Sequence, residues 1–438
     1  MKNKFLYIAL VVLLMVSCKR DSDPILDDPD TRLTAELVAN QAKLVAASNG
    51  WKATIYPSGG KGFSFYFKFL ADGKVDMMGD VNNTSSGATQ TSTYRLKALQ
   101  RPTLIFDTYN YIHLIADPDA SISGGANASG LKSDFEFAFA GIAGDTLKFE
   151  GTFYGNKMSM VTLSAAESQS ILAGGLKTMT DANTAYVAAN KYPYLQFADG
   201  TKGALSIDPT SKTMKLTYLD SKGIVQTKNV TFAYGINKLS LSAYLNYGGT
   251  YFNELLYDSA SKAYYIMVGT TRINVQNSPV PIIPLSLQFG FPSAFAYRSI
   301  NIGTSLPLGV TSGFNVAYQA SVTKFATTLV PSRTLVAVRF ALTSNNTATV
   351  TTQNNNGTTT LTAVATYNYV MENGVITLSN PIYDSNWVAR TTQLIDIQNY
   401  FLTGPFKIDW VTSTNPNAPL LGGLYRTIDA ASFFYGTL

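Results

Sequence analysis

Histidine and cysteine, the usual carriers of general-base, thiol and zinc chemistry, occur once each among the 438 residues of this chain, and glutamate six times. His113 lies in Tyr111-Ile112-His113-Leu114-Ile115, which reads as an alternating strand, the setting of a packed residue rather than a catalyst. With one histidine and one cysteine, a zinc site would need carboxylates for most of its ligands, so no metal and no cofactor is expected. Two Ser-x-x-Lys matches, Ser58–Lys61 and Ser259–Lys262, lack the Ser-Asp-Asn and Lys-Thr-Gly partners that this kind of serine acyl transfer needs. The sequence holds no nucleophile elbow, phosphate-cradling glycine loop or dinucleotide fingerprint. A carboxylate pair is the one hydrolytic arrangement that needs neither histidine nor cysteine. Glu254, in Tyr251-Phe252-Asn253-Glu254, has the aromatic company of a sugar-handling acid, yet spacing assigns it no partner. A carboxylate-dependent glycoside hydrolase is therefore an alternative. The expectation is a protein that is not an enzyme.

Aromatic residues carry the stronger signal. Tyr109-Asn110-Tyr111, the run Tyr244–Tyr251 and the surroundings of Trp387 combine flat rings with short amides and hydroxyls. Such rings offer an apolar face and a polar tip, which suits sugar rings or peptide side chains. The candidate ligand-binding residues are Trp51, Tyr109, Tyr111, Tyr247, Tyr251 and Trp387, each weighed against the commoner role of filling a β core. The chain has 33 basic and 28 acidic residues, spread thinly and without arginine clusters, so nucleic acid is not an expected partner.

The elements that must position these residues are mostly strands. Alternation is clear in Phe63–Phe69, Asp134–Phe139 and Lys238–Ser242, with Asp72-Gly73, Asn356-Gly357 and Asn373-Gly374 as turns between runs. The fold class expected is mainly β, in two or three antiparallel sandwich-like or barrel-like domains, with an N-terminal helix and an inter-domain helix. Thr31–Asn49 has helical apolar spacing and ends at Gly50; Ser164-Ala165-Ala166-Glu167 is a capping box opening Ala165–Leu176; Thr391–Leu402 is a third candidate. A weak internal repeat of strand, polar hairpin, Tyr-bearing strand and apolar strand begins at Phe67, near Met214 and at Val338, aligning Tyr94 with Tyr367.

Cys18 gives the one sharp assignment. Met1–Lys4 is a basic start and Phe5–Val16 an apolar run of 12 residues, too short to span a bilayer and suited to a secretory signal. Met15-Val16-Ser17-Cys18 resembles the lipobox of bacterial lipoproteins, which implies lipidation at the Cys18 thiol and stable anchoring through several acyl chains. Removing Lys2 and Lys4 with the signal lowers the net charge from +5 to +3. Lys19–Thr31 is acid-rich and broken by prolines, and reads as a solvated tether of at most roughly 45 Å. It resembles the export signal of surface-exposed lipoproteins of the Bacteroidetes.

Gly50-Trp51, the aromatic strand and Asp72-Gly73 resemble the opening of small lipocalin-like barrels. Taken with the lipobox, Asn49-Gly50-Trp51-Lys52 and Phe65-Tyr66-Phe67-Lys68-Phe69 resemble a Bacteroidetes outer-membrane lipoprotein family of unknown function, often encoded beside TonB-dependent importers of the starch-utilisation type. The resemblance implies a non-enzymatic accessory of nutrient uptake at the outer membrane, lipid-anchored and facing the cell surface or the periplasm. Its implied partners are the membrane, an importer complex and a glycan or peptide. The alternative is a structural or adhesion module, for which the Asn/Thr stretches Asn345–Thr352 and Thr358–Thr362 would suit. The expected organisation is a signal peptide at 1–17, a lipidated tether at 18–30, a helix with a first β domain at 31–163, a helical connector at 164–190, and further β domains at 191–290 and 291–438.

Overall fold

Strand after strand pairs with its neighbour in sequence, so the chain builds three antiparallel meanders in succession. In the computed structural model, which describes residues 28–438, the first meander is an eight-stranded barrel closed between Trp51–Ile55 and Lys157–Thr162. The expected signal segment, Cys18 and most of the tether lie outside the described residues. A nine-stranded antiparallel sheet follows, and a second closed eight-stranded barrel runs from Ser299–Ile302 to Asp429–Thr437. The protein is mainly β, as expected, and of the two architectures barrels prevail.

The middle sheet curls into a ring by an economical device. Thr271–Asn274 pairs with Ala263–Val268, and the same stretch of chain continues past Val275 as Gln276–Asn277, which pairs with Pro193–Gln196, the first strand of the sheet. One kinked strand thus joins both ends.

An eight-stranded barrel is just wide enough for its own side chains to fill it. Alternation turns Phe63, Phe65, Phe67 and Phe69 inward, where Phe67 meets Phe106 at a ring separation of 5.1 Å. Ser64 and Tyr66 point outward yet are buried as well, because the connector helices and the ring sheet cover that face. Tyr66 and Met78 there join Leu163, Ile171 and Leu176, with Ile236 of the ring packed against them.

The N-terminal helix spans Pro29–Val45 rather than beginning at Thr31, so the end of the expected tether is already helical. Asp28 caps it through the Asp30 N–H (3.1 Å), and Pro29 occupies the first turn, where a missing N–H costs nothing. Gly50 has φ +83°, and a Cβ there would lie 2.7 Å from the Tyr66 ring. The connector is two helices, Ala165–Leu172 and Gly175–Ala189, parted at Gly174 with φ +84°, instead of one helix through Leu176. Ser164 and Glu167 do form the capping box. Thr391–Phe401 is helical as expected, whereas Phe314–Thr327 is a helix that β-prone Val, Thr and Phe disguise; Phe314, Tyr318 and Phe325 form its buried stripe.

The repeat is visible in one hydrogen bond. In the fourth strand of each meander, Tyr94, Phe232 and Tyr369 donate their N–H to Gly73, Lys212 and Asn346, the residues just before the third strand (2.8, 2.9 and 2.9 Å). Tyr94 and Tyr369 also donate their hydroxyls back to the hairpin carbonyls of Leu70 and Ser344, both at 3.0 Å. The geometry therefore aligns Tyr94 with Tyr369, two residues beyond the sequence alignment to Tyr367, on the same strand face.

Candidate functional site

Most of the sequence-selected aromatics are structural. Trp51 is buried and donates its ring N–H to Leu44 O (2.8 Å), tying the N-terminal helix to the barrel. Trp387, 1% exposed, stacks with Tyr383 and donates to Gln398 Oε1 (3.0 Å), holding Ser385–Val388 against Thr391–Phe401. Tyr111 is buried in the first barrel. None of the three offers a ring face to a ligand.

The Tyr244–Tyr251 run divides between two faces. Tyr247 follows the inward parity of Leu245, stacks on Phe197 with ring centres 4.5 Å apart, and donates to Asp199 Oδ2 (2.7 Å). Tyr251, opposite Asn246, faces outward and is 57% exposed. Glu254 is ion-paired with Lys238 (2.5 Å), with no carboxylate partner in its ion pair or hydrogen bond.

Tyr109, 53% exposed, leads to a different place. At one end of the first barrel, the connection after Pro102–Phe106 and the hairpin between Thr146–Gly151 and Lys157–Thr162 enclose a cleft of about 410 Å³. Phe135, Phe153 and Tyr154 line it with Glu136 and Thr152, and Phe153 is 82% exposed. The planes of the Phe153 and Tyr154 rings stand 87° apart with centroids 4.7 Å apart. A ring that far into water contributes nothing to folding, and clustered exposed aromatics mark contact surfaces.

Asp134 builds the wall that holds them. Its carboxylate is buried, with Oδ1 accepting the N–H groups of Phe153 and Tyr154 (both 2.9 Å) and Oδ2 that of Asn156 (3.1 Å). Asn156 Oδ1 accepts the Asp134 N–H in return (3.0 Å). Gly151 is required beneath, since a Cβ would sit 1.9 Å from Asp134 Oδ2.

His113 braces Phe135 from outside the lining. It sits on a short helix, Tyr111–Leu114, not on the expected strand; Asn110 caps the turn and the 111–112 pair enters the core. Nδ1 accepts the Asn110 N–H (3.1 Å), so Nε2 carries the proton and donates to Phe106 O (3.2 Å). Both nitrogens are occupied, and burial holds the imidazole below its ordinary pKa, favouring the neutral ring. The ring lies 4.9 Å from Phe135 and 5.6 Å from Tyr109. Tyr109 donates its hydroxyl to Asp117; burial and that carboxylate push its pKa up to about 12. Asp119 caps Ala120–Ser123 through Ser121, and Asp117 Oδ1 accepts the Asp119 N–H (2.9 Å), so the two acids of Asp117-Pro118-Asp119 serve the turn itself.

Sequence reasoning reached Tyr109, which stacks on His113 beside the cleft without lining it, and missed the lining rings Phe135, Phe153 and Tyr154. The usable signal was Thr152-Phe153-Tyr154-Gly155-Asn156: adjacent aromatics inside a turn have no core to fill.

A second polar site lies between the first barrel and the ring. Lys212 Nζ meets Asp80 Oδ2 (3.1 Å), Asp80 O (2.7 Å) and Gly62 O (3.0 Å), and stands 4.0 Å over the Phe63 ring. Asp80 also accepts the N–H groups of Ser64 and Tyr234 (both 2.8 Å). Both charged side chains are buried, and desolvation pushes the carboxyl pKa up and the ammonium pKa down. Every acceptor and donor here is satisfied within the chain, which makes this a junction rather than a ligand site.

Residues 25–259, more than half the chain, match the family model described as Domain of unknown function (DUF4302). No curated protein matches the chain. Among solved structures, it is similar to the isotype 1 transferrin binding protein B (TbpB) from serogroup B Neisseria meningitidis at 8% identity, covering 76% of this chain and 72% of that one. The TM-score of 0.12 is too low to carry any conclusion on fold or function.

Proposed function

The chain belongs to the family described as Domain of unknown function (DUF4302), and on that footing we propose that it is a non-enzymatic, lipid-anchored glycan-binding accessory of nutrient uptake. In this reading the chain is a Bacteroidetes-type lipoprotein, held at the outer membrane through Cys18, facing the cell surface and serving a TonB-dependent importer. The lipobox-like Met15–Cys18 and the acid-rich stretch behind it support the address. The observation that carries the binding role is the cleft of the first barrel, where Asp134 holds Phe153 and Tyr154 out in water beside Glu136 and Thr152. Aromatic faces next to carboxylate and hydroxyl groups match the apolar faces and hydroxyl rims of sugar rings.

The experiment has two arms. Cys18→Ala should move the protein out of the outer-membrane fraction, and retention there would refute the anchor. Phe153→Ala, at a position outside every core and packed only edge-to-face on Tyr154, should abolish saturable binding to a glycan array while leaving the melting temperature nearly unchanged. An array without hits for the wild-type chain would refute glycan capture, and self-association in its place would favour an adhesion module.

A further inference from the structure

The cleft is uneven in charge. Its charged lining groups are Asp134 and Glu136, both acids, and neither lysine nor arginine lines it. Asp134 is fully engaged by three backbone N–H groups, so its charge is compensated and its oxygens are turned into the wall. Glu136 differs. It is half-buried at the start of its strand, it meets no cation among the described residues, and its one hydrogen bond is a long one from Thr152 Oγ1 (3.5 Å). A carboxylate left this free at the edge of three aromatic rings provides the two elements that recognise an organic ammonium: a charge partner and ring faces of negative potential. The same site repels a uronate or sulfate, because nothing in the lining neutralises a second anion.

We propose that the cleft selects an amino sugar, its ring against Phe153 and Tyr154 and its protonated amine at Glu136. The proposal rests on the glycan reading above and names the class of sugar. The imidazole of His113 fits it, since this ring, 4.9 Å from Phe135 and kept neutral by burial, adds no competing positive charge at neutral pH.

The test titrates the full chain, solubilised in detergent, with the hexasaccharides of glucosamine, N-acetylglucosamine and galacturonic acid by calorimetry. The glucosamine hexamer should bind about fivefold more tightly than its N-acetylated counterpart, a preference within what one exposed ammonium–carboxylate contact supplies. The galacturonate hexamer should be the weakest. Glu136→Gln should narrow the preference to within about twofold, and high salt should narrow it in the unmodified chain, a readout independent of how the variant folds. Equal binding of the two glucosamine forms, a preference that survives both Glu136→Gln and salt, or tightest binding of galacturonate would overturn the charge assignment while leaving glycan capture standing. Failure of all three sugars to bind would remove the glycan reading and this one with it.

Discussion

Asp134 and His113 show how a cleft is shaped by side chains whose polar atoms are spent on the protein's own backbone. Asp134 orients the loop bearing Phe153 and Tyr154 by collecting its N–H groups, and His113 supports Phe135 from behind with both nitrogens occupied. Because His113 is the single histidine of the chain, its ring signals can be followed by NMR without assignment. An unfolded histidine takes up its proton at about pH 6.5, whereas burial makes the folded ring resist it. The unfolded chain therefore binds more protons as the pH falls through that window, and this residue's contribution to stability is present above it and lost on acidification through the lower folded value. The expected titration midpoint lies below that of a free histidine, and Phe135→Ala, which opens the ring to water, should raise it. A midpoint at or above the free value would show that the ring is not desolvated. The same resonances should shift when a sugar enters the cleft.

At the scale of elements, the turn before the third strand does different work in each meander. Gly73 there has φ +81° and turns tightly; Lys212 adopts φ +48°, an unusual conformation for a lysine, and its side chain crosses into the first barrel to meet Asp80. Removing one member of a buried pair leaves the other charge uncompensated, at a cost of about 3–5 kcal/mol. Lys212→Met should therefore lower the unfolding free energy by that order, read as a fall in the urea midpoint at unchanged slope. The pair Lys212→Met with Asp80→Asn should recover part of the loss, because an uncharged amide at position 80 still accepts one of the two N–H groups. Additive losses in the double-mutant cycle would show that the two side chains do not interact.

Much of this level was legible in the sequence. The inward phenylalanines of Phe63–Phe69, the capping box at Ser164 and the Thr391–Phe401 helix follow from period and caps. The junction was not, because a lysine in a hairpin reads as solvent-exposed and only the packing of two meanders buries it. The site was half legible for a related reason. Alternation identifies which rings have a core to fill, but Trp51, Tyr111 and Trp387 carry polar tips and look the same in sequence whether they face a ligand or the protein's own interior. The Asn/Thr strand Thr347–Asn355 likewise places alternate residues inside its barrel, where a reading by composition would leave it outside.

Across the whole molecule, apolar packing divides the chain unequally. Tyr66 and Met78 bury their outward faces under the connector helices and Ile236, fusing the first barrel to the ring. The stretch 279–292 that follows the ring, with prolines at Pro279, Pro281, Pro284 and Pro292, belongs to the last barrel: Leu285 and Phe289 enter its core, and Trp410 donates to Ile283 O (2.8 Å). Among the described residues, no apolar cluster mixes side chains from before Ser278 with side chains from after it. Calorimetry should accordingly resolve two cooperative transitions, and Lys212→Met should shift only one of them. A single transition that moves as a whole would mean the last barrel is coupled to the rest.

The kinked strand Thr271–Asn277 has a practical consequence for anyone cutting this gene into pieces. The family match stops at residue 259, just after Thr250–Asp258, so a fragment trimmed to that limit would lose Ala263–Val268 and the strand that seals the ring. Two raw edges, Thr250–Asp258 and Pro193–Gln196, would then face water with unpaired backbone groups, the usual seed of strand-to-strand aggregation. An insoluble fragment of that kind would report a misplaced scissor, and a boundary after Asn277 keeps the ring whole.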